Sequence, residues 1–465
     1  MAGIYVGRRG ARLAALDAVL IVAALFAAAF ILRPSAGFSV VREILVLWTG
    51  ATAIVLTVHL VTFYVFELYN LRLDFRTLTN VLRSVAAVVT AGAFVALASF
   101  ALPTWGLSRT LFLLHGLVLT AFTVASRWAV SRNASNRMPP QRALLVNVGL
   151  TPDDVVEEFF KNPESHFHMV GSVPVGAAPT VMRKGSIPPH VGSVHDCEDA
   201  LARESARHLI VAGIDRLPQN AAEEFLRLKG KGVEVHDLTD LYQDLTGRIP
   251  LELVDNRYFL RVPAFTRDTR PVLSNLLRVL DFFAALALLV ASLPLWALAF
   301  VGIKLTMPGP VFYSQERVGK DEAPYVIYKF RSMRLDAEQN GPQWSQGAVD
   351  PRVTPFGRFL RRSRVDELPQ LWNVLVGDMS LVGPRPERPV FVAELKQQIP
   401  YYALRFQLKP GVTGWAQVNY RYGASVDDTR VKLSYDLFYV QGRSVSLYLL
   451  TLMKTVTTVL FKPGS

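Results

Sequence analysis

Four long apolar runs fill the first third of the chain, at residues 13–32, 44–66, 81–102 and 110–124, the last extending towards Trp128. A helix needs about 20 apolar residues to cross a bilayer, and the first three runs meet that length. With 51% hydrophobic residues in a chain of 465, they exclude an ordinary compact enzyme and predict a four-helix transmembrane bundle over residues 1–130. A cleaved signal peptide is the competing reading of the first run, because Arg8, Arg9 and Arg12 precede it and Ala27, Ala28 and Ala29 lie near its end. The run is longer than the apolar core of such a peptide, and three more follow it, so the span is favoured.

Arginines sort the loops. Arg8, Arg9 and Arg12 precede the first span, Arg72, Arg76 and Arg83 separate the second from the third, and Arg127, Arg132, Arg137 and Arg142 follow the fourth. The other two loops hold only Arg33, Arg42 and Arg109. The excess of positive charge on cytoplasmic loops places the N-terminus and everything after residue 130 in the cytoplasm, which makes this a multi-pass inner-membrane protein. Fifty Lys and Arg against 38 Asp and Glu give +12, a balance suited to anionic partners such as lipid headgroups and nucleotides. Cys197 is the single cysteine, which excludes an intrachain disulfide framework and a Cys-rich zinc module.

From Arg142 to about Arg261 the composition turns globular. Residues 143–148, 169–175, 209–212 and 233–236 read as strands, and residues 153–160 and 221–228 as helices, which predicts a Rossmann-like α/β module over residues 131–261. The glycine-rich phosphate fingerprint is missing: Asn147, Val148, Gly149, Leu150 and Thr151 follow the first strand. A structural or regulatory module is therefore favoured over a nucleotide site. His166, His168, His190, His195 and Cys197 lie near one another in sequence, but their spacing matches no familiar metal box, and surface or loop histidines explain them better.

A fifth apolar stretch, residues 279–301, is long enough to span. Basic residues flank both of its ends, and Pro294 inside it removes a helical hydrogen bond. A bent, re-entrant helix within a linker of residues 262–308 satisfies both observations; a plain span with a tolerated kink is the competing reading. Arg278 and Asp281 are three apart at its head, a spacing that allows them to pair.

All eight histidines precede residue 237, so chemistry in the remaining α/β domain, residues 309–465, must rest on carboxylates, Lys, Arg, hydroxyls and a metal. Asp366 and Glu367 stand out among seven acidic dipeptides because of the helix before them, with Thr354 as N-cap and Pro355 at its first position. That helix carries Arg358, Arg361, Arg362 and Arg364. Arg358, Arg362 and Asp366 fall at four-residue intervals and would share a face if the helix ran on. Pro369 interrupts it on one side or the other of the dyad. Gly383, Pro384, Arg385 and Pro386 form a rigid turn that displays one Arg, and Lys329 and Arg331 would share one face of a strand. Arginine forks and a Lys suit a diphosphate, and carboxylates beside them suit Mg²⁺.

These blocks carry a resemblance. Phe312 to Gly319 with Gln315 and Arg317, then Lys329-Phe330-Arg331-Ser332-Met333, Asp366-Glu367-Leu368-Pro369-Gln370-Leu371, Gly377 to Pro386, and Lys409 to Trp415 resemble the polyprenyl-phosphate hexose-1-phosphate transferases, the large monotopic phosphoglycosyl transferases. The resemblance implies transfer of a sugar-1-phosphate from a UDP-sugar to undecaprenyl phosphate, releasing UMP, as the first membrane step of exopolysaccharide, capsule or O-antigen synthesis. It implies Asp366 as nucleophile, Glu367 beside it as an Mg²⁺ ligand, and Lys329, Arg331, Arg361 and Arg385 at the phosphates. Arg278, Asp281, Ser292 and Pro294 match its re-entrant helix.

Two positions depart from the family pattern: Leu293, where a Ser often precedes the membrane proline, and Tyr448, where an Asp is expected. The competing function is a catalytically silent membrane scaffold or sensor for polysaccharide assembly, which the intact Asp366, Glu367 and Arg385 disfavour. No motif for nucleic acid is present, and homo-oligomerisation is left open.

Overall fold

The computed structural model describes residues 8–32, 49–69, 73–101, 109–135, 140–148, 153–162, 165–175, 190–266, 270–339, 341, 343–344, 350–420 and 425–461. They divide into two compact units, residues 1–139 and 140–465.

In the first unit, α1 (Arg8–Leu32), α2 (Thr49–Val65), α3 (Leu78–Ala101) and α4 (Arg109–Ser135) form a closed bundle in which α1 packs on α4 and α2, and α3 on α2 and α4. Stretches Arg12–Leu32, Leu78–Ala96 and Thr110–Arg132 are long and apolar enough to cross a membrane. The apolar part of α2, Thr52–Val65, is shorter, and residues 44–48 of that predicted run lie outside the described residues. Asp17 of α1 pairs with Arg127 of α4, both side chains being 1% exposed. An ionised side chain among apolar helices is costly unless paired, and a partner 110 positions away supplies the pairing.

The second unit begins with a parallel sheet of order β2-β1-β3-β4, built from β1 (Gln141–Val148), β2 (Phe167–Val175), β3 (His208–Ala212) and β4 (Glu234–Asp237). Helices α5 (Asp153–Lys161), α6 (Cys197–Arg203), α7 (Gln219–Gly230) and α8 (Leu238–Thr246) cover it. Residues 143–148 of β1 are buried without interruption, as a strand covered on both faces requires. Leu144, Val146 and Leu209 face one core, Ala143, Leu145 and Ile210 the other. The α/β layer read from the sequence is thus present, with α6 and α8 in addition. The loop after β1 lies outside the described residues.

Packing is continuous between this layer and the C-terminal part of the unit. Ile249, Val254, Tyr258, Phe259 and Phe265 share one core with Val318, Phe391, Tyr402 and Leu437. The Trp415 indole donates to the Gly247 carbonyl at 2.7 Å, the Tyr258 hydroxyl to Gln441 Oε1 at 2.7 Å, and the Gln407 amide to the Phe265 carbonyl at 2.6 Å. A boundary at residue 261 therefore falls inside a continuous core.

Next come α9 (Pro271–Ala291) and α10 (Leu293–Thr306). The expected bend is a full interruption at Ser292, the residue shared by the end of one helix and the start of the other. Pro294 lies in the first turn of α10, where its missing N–H leaves no bond unmade. Phe283, Val290, Leu293 and Leu298 around the break are exposed, whereas both outer ends return to the same domain. α9 packs on α12 (Gln370–Val376) and β7 (Ser380–Val382); α10 packs on α11 (Pro355–Arg362) and on the turn that carries Asp366.

The rest comprises an antiparallel hairpin, β5 (Phe312–Val318) with β6 (Pro324–Phe330), in which Tyr313 opposes Lys329, and a short parallel pair of β7 with β8 (Gly411–Thr413). Helix α13 (Pro389–Gln398) packs on β5 and α15 (Val445–Phe461) on β7 and β8, with α14 (Val426–Gly442) between them in sequence. A second core of Ala299, Ile303, Met307, Phe330, Leu360 and Val365 joins α10, β6 and α11 to the Asp366 turn.

Candidate active site

Helix α11 starts as its sequence dictates. Thr354 Oγ1 accepts the Gly357 amide at 2.9 Å, and Pro355 follows. Gly357 is required by proximity: a Cβ there would meet the Ser332 carbonyl at 1.9 Å. This close approach lets Arg361, one turn on, donate from Nε to Ser332 Oγ at 2.9 Å.

The helix then stops at Arg362. Arg364 adopts a left-handed backbone with φ of 59°, and Asp366 and Glu367 sit on a separate 3₁₀ turn, Val365–Glu367, upstream of Pro369. The four-residue register of Arg358, Arg362 and Asp366 expected from a continuous helix is therefore broken. Side chains of adjacent 3₁₀ residues diverge by about 120°, so the two carboxylates have different surroundings.

Three cations converge on Glu367. Arg385 Nη2 donates to Oε1 at 3.1 Å, Lys329 Nζ lies 3.5 Å from the same oxygen, and Arg364 Nη1 lies 3.7 Å from Oε2. Burial alone would push the Glu367 carboxyl up, but Arg385, Lys329 and Arg364 outweigh it and hold the group below the usual carboxylate range. Asp366 goes the other way. Burial first, then the charge of Glu367, push it up against the opposing Lys329, Arg361 and Arg364. Its Oδ1 is buried with no hydrogen-bond partner among the described residues. Two adjacent carboxylates pushed apart in this way suit two jobs: a permanent anion that orders cations, and a more basic oxygen free to react. Lys329 is pulled below its ordinary value by burial, with Glu367 opposing.

Arg385 is fixed from behind. Gly383 donates to the Thr413 carbonyl at 2.9 Å and Gly411 to the Pro384 carbonyl at 3.0 Å. A Cβ on Gly383 would meet the Lys409 carbonyl at 2.3 Å, so only glycine lets the two backbones touch. Arg405 donates to the Arg385 carbonyl at 3.0 Å while pairing with buried Asp436 at 2.7 Å. Arg317 Nη1 donates to the Pro386 carbonyl at 3.1 Å.

Of the residues singled out in the sequence, Lys329, Glu367 and Arg385 meet directly, with Asp366 and Arg361 alongside. Arg331 follows the last residue of β6 and donates to the Met307 carbonyl at 2.7 Å, so its contact is with the end of α10, and Lys329 alone of the pair reaches the dyad. Arg278 and Asp281 have separate hydrogen-bond partners. Arg278 donates to the Val374 and Leu375 carbonyls at the end of α12, where cations complement the helix dipole. Asp281 Oδ1 accepts the Leu381 amide at 2.8 Å and the Tyr448 hydroxyl at 2.7 Å. Ser292 Oγ donates to the Leu289 carbonyl at 3.0 Å, closing the last turn before the break. Arg364 was visible only as one of four arginines; its left-handed backbone, which aims it at Glu367, has no sequence signature in a non-glycine residue.

Comparison with known proteins gives this arrangement a lineage. The family model described as "Bacterial sugar transferase" matches residues 273–462. A Bacillus subtilis (strain 168) protein named "Putative undecaprenyl-phosphate N-acetylgalactosaminyl 1-phosphate transferase" is 53% identical over 128 residues, 28% of this chain and 71% of that protein. The chain belongs to the bacterial sugar transferase family. Among the other sugar transferases, an Aeromonas hydrophila protein named "UDP-N-acetylgalactosamine-undecaprenyl-phosphate N-acetylgalactosaminephosphotransferase" is 41% identical over 229 residues, 49% of this chain. A Caulobacter vibrioides (strain ATCC 19089 / CIP 103742 / CB 15) "UDP-glucose:undecaprenyl-phosphate glucose-1-phosphate transferase" is 43% identical over 186 residues, 39% of this chain and 69% of that protein. The match spans about half of the Aeromonas protein, 52% of its length. The part matched to the sugar transferase model starts inside α9 and contains the interrupted helix pair, the dyad and every cation around it. The bundle, the α/β layer and residues 249–265 precede it.

Proposed function

We propose that this sugar transferase moves a sugar-1-phosphate from a UDP-sugar to undecaprenyl phosphate, giving undecaprenyl-diphosphate-sugar and UMP. The observation that carries this reading is the convergence of Lys329, Arg364 and Arg385 on Glu367, beside a buried Asp366 oxygen with no partner among the described residues. In the first step an Asp366 oxygen attacks the sugar-bearing phosphorus, and the bond from that phosphorus to the bridging oxygen breaks. UMP departs with the electron pair and, being a good leaving group, needs little protonation. In the second step a phosphate oxygen of the lipid attacks the same phosphorus and Asp366 is released. Lys329, Arg361, Arg364 and Arg385 orient the phosphoryl oxygens and offset their charge; Arg331 acts a layer further back, holding the chain between α10 and β5.

A hard divalent cation such as Mg²⁺ fits the carboxylate oxygens on offer. Asp366 and Glu367 would hold it with their carboxylates. Bound there, it would neutralise diphosphate oxygens.

The helices support a membrane location. The four helices of the bundle make an anchor in the bacterial inner membrane, with the catalytic domain on the cytoplasmic side. The pair α9–α10 dips into the bilayer and returns, a reading supported by its apolar exposed break and by both outer ends packing on one domain. Phe359 of α11 and Trp372 and Val376 of α12 are also exposed around the dyad, as a site at headgroup depth requires if it is to receive a lipid phosphate and a water-soluble donor together.

The test is UMP release from a panel of UDP-sugars by the detergent-purified protein with undecaprenyl phosphate and Mg²⁺, beside Asp366→Asn. Lipid-dependent UMP from one donor, absent in the variant, supports the reading and names the sugar. Folded protein that releases none from any donor would leave the scaffold reading.

A further inference from the structure

The α/β layer brings together three side chains that the dyad does not use. His208 opens β3, and Glu234 and His236 occupy alternate positions of β4, so the two β4 side chains share a face. The parallel register pairs His208 with Glu234 and Ile210 with His236. One ligand atom from each residue points at a common space: His208 Nδ1 and His236 Nε2 are 3.2 Å apart, and Glu234 Oε2 lies 3.7 Å from the first and 3.6 Å from the second.

From these distances we propose that His208, Glu234 and His236 form a divalent transition-metal site, with Zn²⁺ as the natural occupant. The circle through the three atoms has a radius of about 2.0 Å, which is the length of zinc bonds to imidazole and carboxylate, ~2.0–2.2 Å. An ion at its centre, or displaced slightly along the axis, reaches all three ligands at once. Two imidazoles and one carboxylate favour zinc and its neighbours over Mg²⁺ or Ca²⁺, which prefer all-oxygen shells.

The surroundings suit a site that is rigid at its base and open at its mouth. The His208 and His236 side chains are 11% and 16% exposed, and the Phe167 ring packs 5.5 Å and 5.7 Å from theirs, so the imidazoles are held from behind. Glu234 is 62% exposed and faces solvent, where water would complete a fourth position. To take an ion, both imidazoles would present the lone pairs of His208 Nδ1 and His236 Nε2 inward, in place of the hydrogen bond that these two nitrogens share without it. β4 is the four-residue edge of the sheet, so the ion would tie that edge to β3.

The trio escapes a reading by sequence spacing, because His208 and Glu234 lie 26 positions and a whole helix apart and only the strand register reunites them. The test uses untagged full-length protein in detergent, stripped with EDTA and titrated with Zn²⁺ by calorimetry in excess Mg²⁺, with Co²⁺ absorption as a second readout. One Zn²⁺ per chain is expected. It should persist in Asp366→Asn, which separates it from the dyad, and in His168→Gln, a histidine outside the trio. Affinity should fall at least about tenfold in Glu234→Gln and His236→Gln, with loss of the Co²⁺ visible bands. Less than one ion per wild-type chain would overturn the site, as would wild-type affinity in Glu234→Gln, whose exposed side chain can change without disturbing the fold.

Discussion

The Tyr448 hydroxyl donates to Oδ1 of Asp281 at 2.7 Å, across 167 positions of sequence. The tyrosine is 1% exposed and the aspartate 4%. The departure from the family pattern at residue 448 thus finds its use as the donor that satisfies a carboxylate on the interrupted helix pair. Tyr448→Phe removes one of the donors to this carboxylate, leaving the Leu381 amide and the Ser380 hydroxyl, and should cost about 1–2 kcal/mol. A lowered urea midpoint in detergent, with the dyad chemistry kept in the folded fraction, is the expected result; an unchanged midpoint would remove the bond's structural role.

If Asp366 is the nucleophile as proposed, removing its reactive oxygen should be far more damaging than removing its neighbour's charge. Asp366→Asn is expected to lower turnover by at least about 10³-fold, and Glu367→Gln should reduce it severely without abolishing it. Single-turnover UMP release separates the two. A UMP burst in Asp366→Asn would mean that another group makes the first bond.

Arg364 offers a cleaner separation of backbone from charge. Its φ of 59° suits glycine better than any other residue, so Arg364→Gly should fold at least as well as the parent. Turnover should still fall by about 10–100-fold because a cation over Glu367 is lost. A thermal melt beside the rate checks both halves, and full activity in the variant would exclude Arg364 from the phosphate site.

The proposed first step needs Asp366 ionised. Its carboxyl is raised by burial and by Glu367, so activity is present above that raised value and is lost as pH falls through it. The acid limb of kcat/KM should therefore lie above the ordinary aspartate range of about 4. Arg364 opposes the shift, so the limb should move higher still in Arg364→Gly. A limb at the ordinary position in both proteins would contradict the assignment.

Local chemistry was legible in the sequence, and long-range partnership was not. Thr354 and Pro355 announce the start of α11, alternating composition announces the sheet of the α/β layer, and the proline-flanked Arg385 reads as a fixed cation. The end of α11 was hidden, because nothing in Arg362, Ser363 or Arg364 is a helix breaker; the chain turns where Val365 enters the core. The arginine row therefore suggested a face that the structure does not have. Asp17 with Arg127, Asp281 with Tyr448, and Arg405 with Asp436 are each brought together by packing, and no periodicity relates their positions.

Because residues 249–265 are built into the core around Phe391 and Leu437, the upstream layer is not an interchangeable cassette. Where chains of this family trade their leading modules through recombination, a crossover at Gly247 keeps residues 249–265 with the core around Phe391, but Leu253 and Tyr258 then meet foreign residues in place of Tyr242 and Gln243. One placed where the family match begins, at residue 273, would import foreign side chains against an unaltered Tyr402 and Phe406. The apparent edge of the domain in sequence and its edge in packing differ by some two dozen residues, and a viable hybrid has to respect the latter.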